Sequence, residues 1–153
     1  MLTIDSGTRW RTAQVFVATG AAAIIGGGLV AAAVAHSPVQ RLVWMSAYLV
    51  LIVGVAQIVF GAGQASLTTR QPNPGWVATE WLVFNLGNAG VIAGTLVGSF
   101  ALVLVGTLLF AAGIALFLVG TRGSVRGWLI GYRILLGLIF ASSLVGLGLS
   151  LTR

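Results

Sequence analysis

The sequence predicts an all-α fold: an integral membrane bundle of five transmembrane helices. Composition is the first observation behind this. The 153 residues are 58% hydrophobic and only 7% charged, with a mean hydropathy of +1.07, against roughly 45–50% apolar and about 25% charged residues in soluble domains. The second is length patterning, because the apolar residues fall into five runs, each close to the about 20 needed to cross a hydrocarbon core of about 30 Å. The third is that arginine and tryptophan gather at the ends of those runs. No long polar stretch interrupts them, so residues 1–153 read as one transmembrane domain.

The first span is placed at Ala13–Ala35, behind the "RWR" of Arg9 to Arg11 and ahead of Pro38, which closes it. The same segment resembles a secretory signal peptide, with "AVAH" as a small-residue cleavage site. Its apolar run of about 23 residues exceeds the usual 7–15, which favours a retained helix. The second span is Leu42–Ala62. The third, Val77–Val97, is entered through the turn-rich "QPNPGW" of Gln71–Trp76. The fourth, Phe100–Val119, is divided from the third only by "GSF" at Gly98–Phe100. One uninterrupted helix there would be far too long for a bilayer, so a tight helical hairpin is expected. Trp128–Ser150 forms the fifth span. A faint internal echo sets Leu49–Gly61 against Leu108–Gly120 and Ile24–Val30 against Ile92–Gly98. Duplication and chance in a low-diversity apolar sequence both remain open.

Orientation follows from the arginines, which accumulate in short cytoplasmic loops. A cytoplasmic N-terminus puts Arg9, Arg11, Arg70, Arg122, Arg126 and Arg133 inside and only Arg41 and Arg153 outside, with the C-terminus outside. Trp10, Trp44, Trp76, Trp81 and Trp128 lie at span ends, where an indole prefers the headgroup level. The net charge of +6 is spread along the chain with no basic block, so lipid headgroups are the expected partner and nucleic acid is not.

The polar residues inside the spans are few enough to be treated one by one. Wound at about 100° per residue, the third helix gathers Glu80, Phe84, Gly87, Asn88, Val91, Gly94, Thr95 and Gly98 on one face, with Asn85 at its margin. Leu82, Leu86, Ala89, Ala93 and Leu96 lie opposite. The second helix carries a matching stripe of Ala47, Val50, Gly54, Gln57, Gly61 and Gln64. Small residues let helix backbones approach closely in lipid, so the two stripes are expected to meet, with Gln57 bonding to Asn85. On the fifth helix Arg133 shares a side with Gly137, Ala141, Leu144 and Gly148, which marks that side as protein-facing. Arg133 and Glu80 match in depth, so an ion pair is expected, the other reading being that each reaches lipid phosphate or water.

The candidate intramembrane polar cluster is therefore Gln57, Glu80, Asn85, Asn88 and Arg133, read first as fastening the bundle and second as lining a path for solute. No catalytic constellation, metal site or cofactor site is expected. Cysteine is absent, which excludes thiolate chemistry, and both acids, Asp5 and Glu80, are expected across the membrane from the only histidine, His36. "GTRG" at Gly120–Gly123 is too short for a phosphate-binding loop.

The functional expectation is a bacterial inner-membrane protein, non-enzymatic, acting as an accessory or structural subunit of a membrane complex with a protein partner or as a homo-oligomer. A small oligomeric transporter or channel lined by Gln57, Glu80, Asn85 and Asn88 is the alternative. A quinone- or haem-linked redox subunit is a third reading, weakened by the single histidine.

Overall fold

The computed structural model describes residues 6–67, 73–120 and 130–141. Every regular element among them is helical: α1 (Ser6–Ala33), α2 (Gln40–Tyr48), a π-helical stretch (Leu49–Ala56), α3 (Gln57–Leu67), α4 (Pro74–Val97) and α5 (Phe100–Gly120), followed by α6 (Ile130–Ala141). Helix is the form in which an apolar segment satisfies its own backbone donors and acceptors without water. Four helical segments are long and apolar enough to cross a membrane: Ala13–Ala33, Gln40–Ser66, Pro74–Val97 and Phe100–Gly120. This is the architecture of a membrane protein. Of the fifth expected span, Trp128–Ser150, the described residues show only α6, an apolar helix shorter than a span, and the rest lies outside the described residues.

The chain forms two compact units, Met1–Ser66 and Leu67–Arg153. In the first, α1 packs on α2 and on the π stretch. Glycines set the approach. A Cβ on Gly20 would lie 2.8 Å from the Gly54 carbonyl oxygen, one on Gly54 would lie 2.5 Å from Ile24 Cγ1, and one on Gly61 would lie 2.5 Å from Phe16 Cβ. The Ser46 hydroxyl adds an interhelical hydrogen bond by donating to the Gly27 carbonyl at 2.8 Å.

The π stretch changes which face of the second span is buried. From Gly54 onward the buried side follows the expected stripe through Gln57, Gly61 and Gln64, but Ala47 is exposed and Ser46 is buried instead. A winding of 3.6 residues per turn does not hold where the backbone bonds five residues apart. Residues before the stretch are therefore rotated relative to a straight α-helical projection.

In the second unit α4 and α5 pack along their length. Helix α4 starts where Asn73 caps it, its Oδ1 accepting from the Trp76 backbone N–H at 2.7 Å, with Pro74 in the first turn. It ends at Gly98, whose φ of 74° and ψ of 27° are left-handed. The Gly98 N–H bonds the Gly94 carbonyl, and the Ser99 N–H bonds the same oxygen at 2.8 Å. Ser99 then caps α5 through its hydroxyl, which accepts from the Leu102 N–H at 3.5 Å. Two residues thus reverse the chain, as the "GSF" break requires.

The returning helix meets α4 on glycine. A Cβ on Gly94 would sit 2.6 Å from Val103 N, one on Gly90 would sit 2.9 Å from Gly106 Cα, and one on Gly113 would sit 3.0 Å from Phe84 Cα. The buried residues of α4 are Val77, Glu80, Phe84, Gly87, Asn88 and Gly94, all but Val77 belonging to the expected inward face. Leu82, Leu86, Ala89 and Ala93 are exposed.

Substitution separates contact glycines from free ones. Gly94→Leu and Gly106→Leu should each cost about 1–3 kcal/mol through overpacking. Gly28→Leu, where a Cβ meets nothing within 4 Å, should leave stability unchanged. Thermal unfolding in detergent followed by circular dichroism checks this, and equal losses at Gly28 and Gly106 would refute it.

Candidate functional site

Five polar side chains in these helices bond to a carbonyl on the preceding turn. Thr19, Thr79 and Thr95 donate to the carbonyls of Val15, Gly75 and Val91 at 2.7, 2.9 and 2.8 Å. Asn85 Nδ2 donates to the Trp81 carbonyl and Asn88 Nδ2 to the Phe84 carbonyl, both at 2.8 Å. A carbonyl oxygen has a second lone pair, so a side chain can bond to the residue four positions back without breaking the helix ladder.

Gln57 and Asn85 belong to different units, and each amide makes a hydrogen bond inside its own. Gln57 Nε2 donates to Thr19 Oγ1, joining α3 to α1. Gln57 is fully buried, and its Oε1 has no hydrogen-bond partner among the described residues. Thr19 was not singled out in the sequence, where a lone threonine among alanines carries no periodic signal.

Glu80 is the one acid among the described residues, and it is fully buried. It lies six residues into α4, roughly 9 Å from the start of that helix. The Trp76 indole Nε1–H donates to its Oε1 at 2.6 Å, a short hydrogen bond. The spacing of four residues puts the two side chains on one face of the helix. That spacing was legible, but Trp76 read as a membrane-edge residue. In the same unit Tyr132 of α6 is buried as well. Around this polar group the unit is aromatic: Phe84 meets Phe110 at 5.4 Å and Phe117 edge-on at 6.2 Å between ring centroids.

Arg133 does not join the cluster. It is exposed, and no Arg133–Glu80 ion pair forms among the described residues. The packed face of α6 holds Tyr132 and Leu136, while Gly137 and Ala141 are exposed. Small residues mark a packed face where backbones touch, but a Cβ on Gly137 meets nothing within 4 Å. Bulk does the packing here instead. Leu144 and Gly148, expected on the same side as Arg133, lie outside the described residues.

His36 is exposed, in the bend that follows α1. Comparison of the chain with protein-family models, curated proteins and solved structures gives no match.

The pairing of Glu80 can be read by double-mutant cycles on unfolding in detergent. Trp76→Phe and Glu80→Gln should be non-additive, with a coupling of about 0.5–3 kcal/mol, whereas Glu80→Gln and Arg133→Gln should add to within about 0.5 kcal/mol. The reverse pattern would restore the arginine as the partner.

Proposed function

We propose that the protein is a multi-pass protein of the bacterial inner membrane, with a cytoplasmic N-terminus, acting as a non-enzymatic accessory subunit of a membrane complex. One observation carries this reading. The apolar windows of the four spanning helices are only 17–33% buried within the chain, so most of each helix surface is left to face lipid or another membrane protein. The six-to-two distribution of arginines supports the orientation, and an arginine-only composition rich in alanine and glycine supports a bacterial source. A fifth span running on from α6 is part of the proposal and would put the C-terminus outside.

A small oligomeric transporter is the second reading, favoured by Glu80. Ionisable groups inside spans are costly and mark ion or substrate paths. The backbone-bonded side chains of Asn85 and Asn88 leave the carboxyl as the group such transport would depend on.

Purification from native membranes in mild detergent separates the two. A second membrane protein in constant ratio through successive sizing steps, cross-linked to this chain before solubilisation, is the expected result. Isolation of the chain alone, together with Glu80-dependent flux in liposomes, would overturn the accessory reading.

A further inference from the structure

The observations carry furthest at Gln57. Thr19 has a single hydroxyl hydrogen and donates it to the Val15 carbonyl at 2.7 Å, so toward Gln57 its oxygen accepts. The donor between them is therefore the amide nitrogen, Nε2. This turns Oε1 away from Thr19. The oxygen is buried with its whole side chain and has no hydrogen-bond partner among the described residues. An amide oxygen stripped of hydration without a donor in exchange costs more than a typical hydrogen bond gains, so its surroundings favour any donor that fits.

The chemistry of that donor is narrow. Of the chain's two acids, Asp5 and Glu80, only Asp5 belongs to this unit, and it lies outside the described residues. A cation held by a neutral amide would have no charge opposite it, which is costly inside a span. Bulk is excluded as well. One turn beyond Gln57, Phe16 covers Gly61, where a Cβ would lie 2.5 Å from Phe16 Cβ, and a Cβ on Gly20, next to Thr19, would lie 2.6 Å from Ile58 Cγ1. The fitting donor is small and uncharged.

The backbone supplies its second partner. Gln57 opens α3 directly after the π stretch, and its own N–H bonds the Gly54 carbonyl, three residues back, where an α-helix reaches four back. Waters insert where the helical ladder departs from its regular spacing, π segments gather at functional sites, and a helix carbonyl keeps a second lone pair. A buried water makes about 2–4 hydrogen bonds, which the amide oxygen and the carbonyls of the preceding turn can provide.

We propose that Gln57, oriented by Thr19, binds one water molecule inside the membrane at the end of the π stretch. The water donates one hydrogen to Oε1 and the other to a carbonyl of the preceding turn. The site is independent of both functional readings.

Infrared spectroscopy of the full chain in lipid films tests the binding. An amber codon at position 57, read in cell-free synthesis by a suppressor tRNA charged with glutamine isotope-labelled at its side-chain carbonyl, labels Gln57 alone and leaves the side chain unchanged. The labelled-minus-unlabelled spectrum isolates its carbonyl stretch, which an accepted hydrogen bond lowers. In a hydrated film the band should lie below that of a primary amide in alkane, move up toward it on drying, and return on rehydration. Thr19→Val should diminish this reversible shift and Thr19→Ser should retain it, an order that loss of packing alone would reverse.

A band at the alkane position in the hydrated film, or one that drying leaves in place, would overturn the site. The reverse order of the two Thr19 variants would remove Thr19 from it. The same label in Asn88, whose Nδ2 bonds the Phe84 carbonyl within α4, should not move on drying. An equal shift there would show drying acting on the whole bundle and would overturn the assignment to Gln57.

Discussion

The contact on which the second unit depends is backbone against backbone, where Gly87, Gly90 and Gly94 of α4 meet Phe110, Gly106 and Val103 of α5. Lipid tails are as apolar as leucine, so helices in a membrane gain nothing from hiding hydrophobic surface from one another. They gain from dispersion, which needs close approach. Glycine supplies that approach, and the left-handed Gly98 with the Ser99 cap sets the register in which the glycines meet. The placement of Glu80 follows, because its position on the same face as Gly87 and Gly94 turns it inward along with them.

The first unit uses the same solution with different partners. Phe16 of α1 lies over Gly61 of the second span, as Phe84 of α4 lies over Gly113 of α5. The two phenylalanines keep the sequence separation by which Ile24–Val30 echoes Ile92–Gly98. The glycines of the second span, however, correspond to Gly106 and Gly113, one heptad earlier than the echo of Leu49–Gly61 in Leu108–Gly120 suggests. An apolar repeat rich in glycine can be slid by two turns with little change in its appearance, whereas the contacts fix one register.

Much of this was legible in the sequence. Apolar run lengths gave five spans, of which four coincide with helices long and apolar enough to cross a membrane; "GSF" gave the hairpin, and the inward face of α4 followed from a constant helical winding. What was not legible has two physical causes. The π stretch alters the winding itself, so the face of α2 was misread at Ala47 and Ser46 although the face beyond it was right. The polar side chains were assigned to one another across helices, as if a polar group in lipid must find a distant partner. Asn85, Asn88 and three threonines instead bond to the carbonyl four residues back, and Glu80 receives its bond from an indole on its own helix. Matching depths suggested Arg133, but the bulk of Tyr132 and Leu136, not the small residues beside Arg133, decides which side of α6 packs.

Polar residues in these spans are therefore not in themselves a sign of a channel. The interior of the α4–α5 hairpin is closed by glycine contacts, which leave no room for water between Glu80 and Gly94. Because the chain contains no cysteine, single cysteines can be placed along α4 and exposed to a membrane-impermeant maleimide in vesicles of both orientations. Labelling at Gly75, ahead of the span, and none at Phe84, Asn88 or Val91 is the predicted result. A continuous labelled stripe through Glu80, Phe84, Asn88 and Val91 would reveal a water-filled path and contradict the dry, glycine-locked interior.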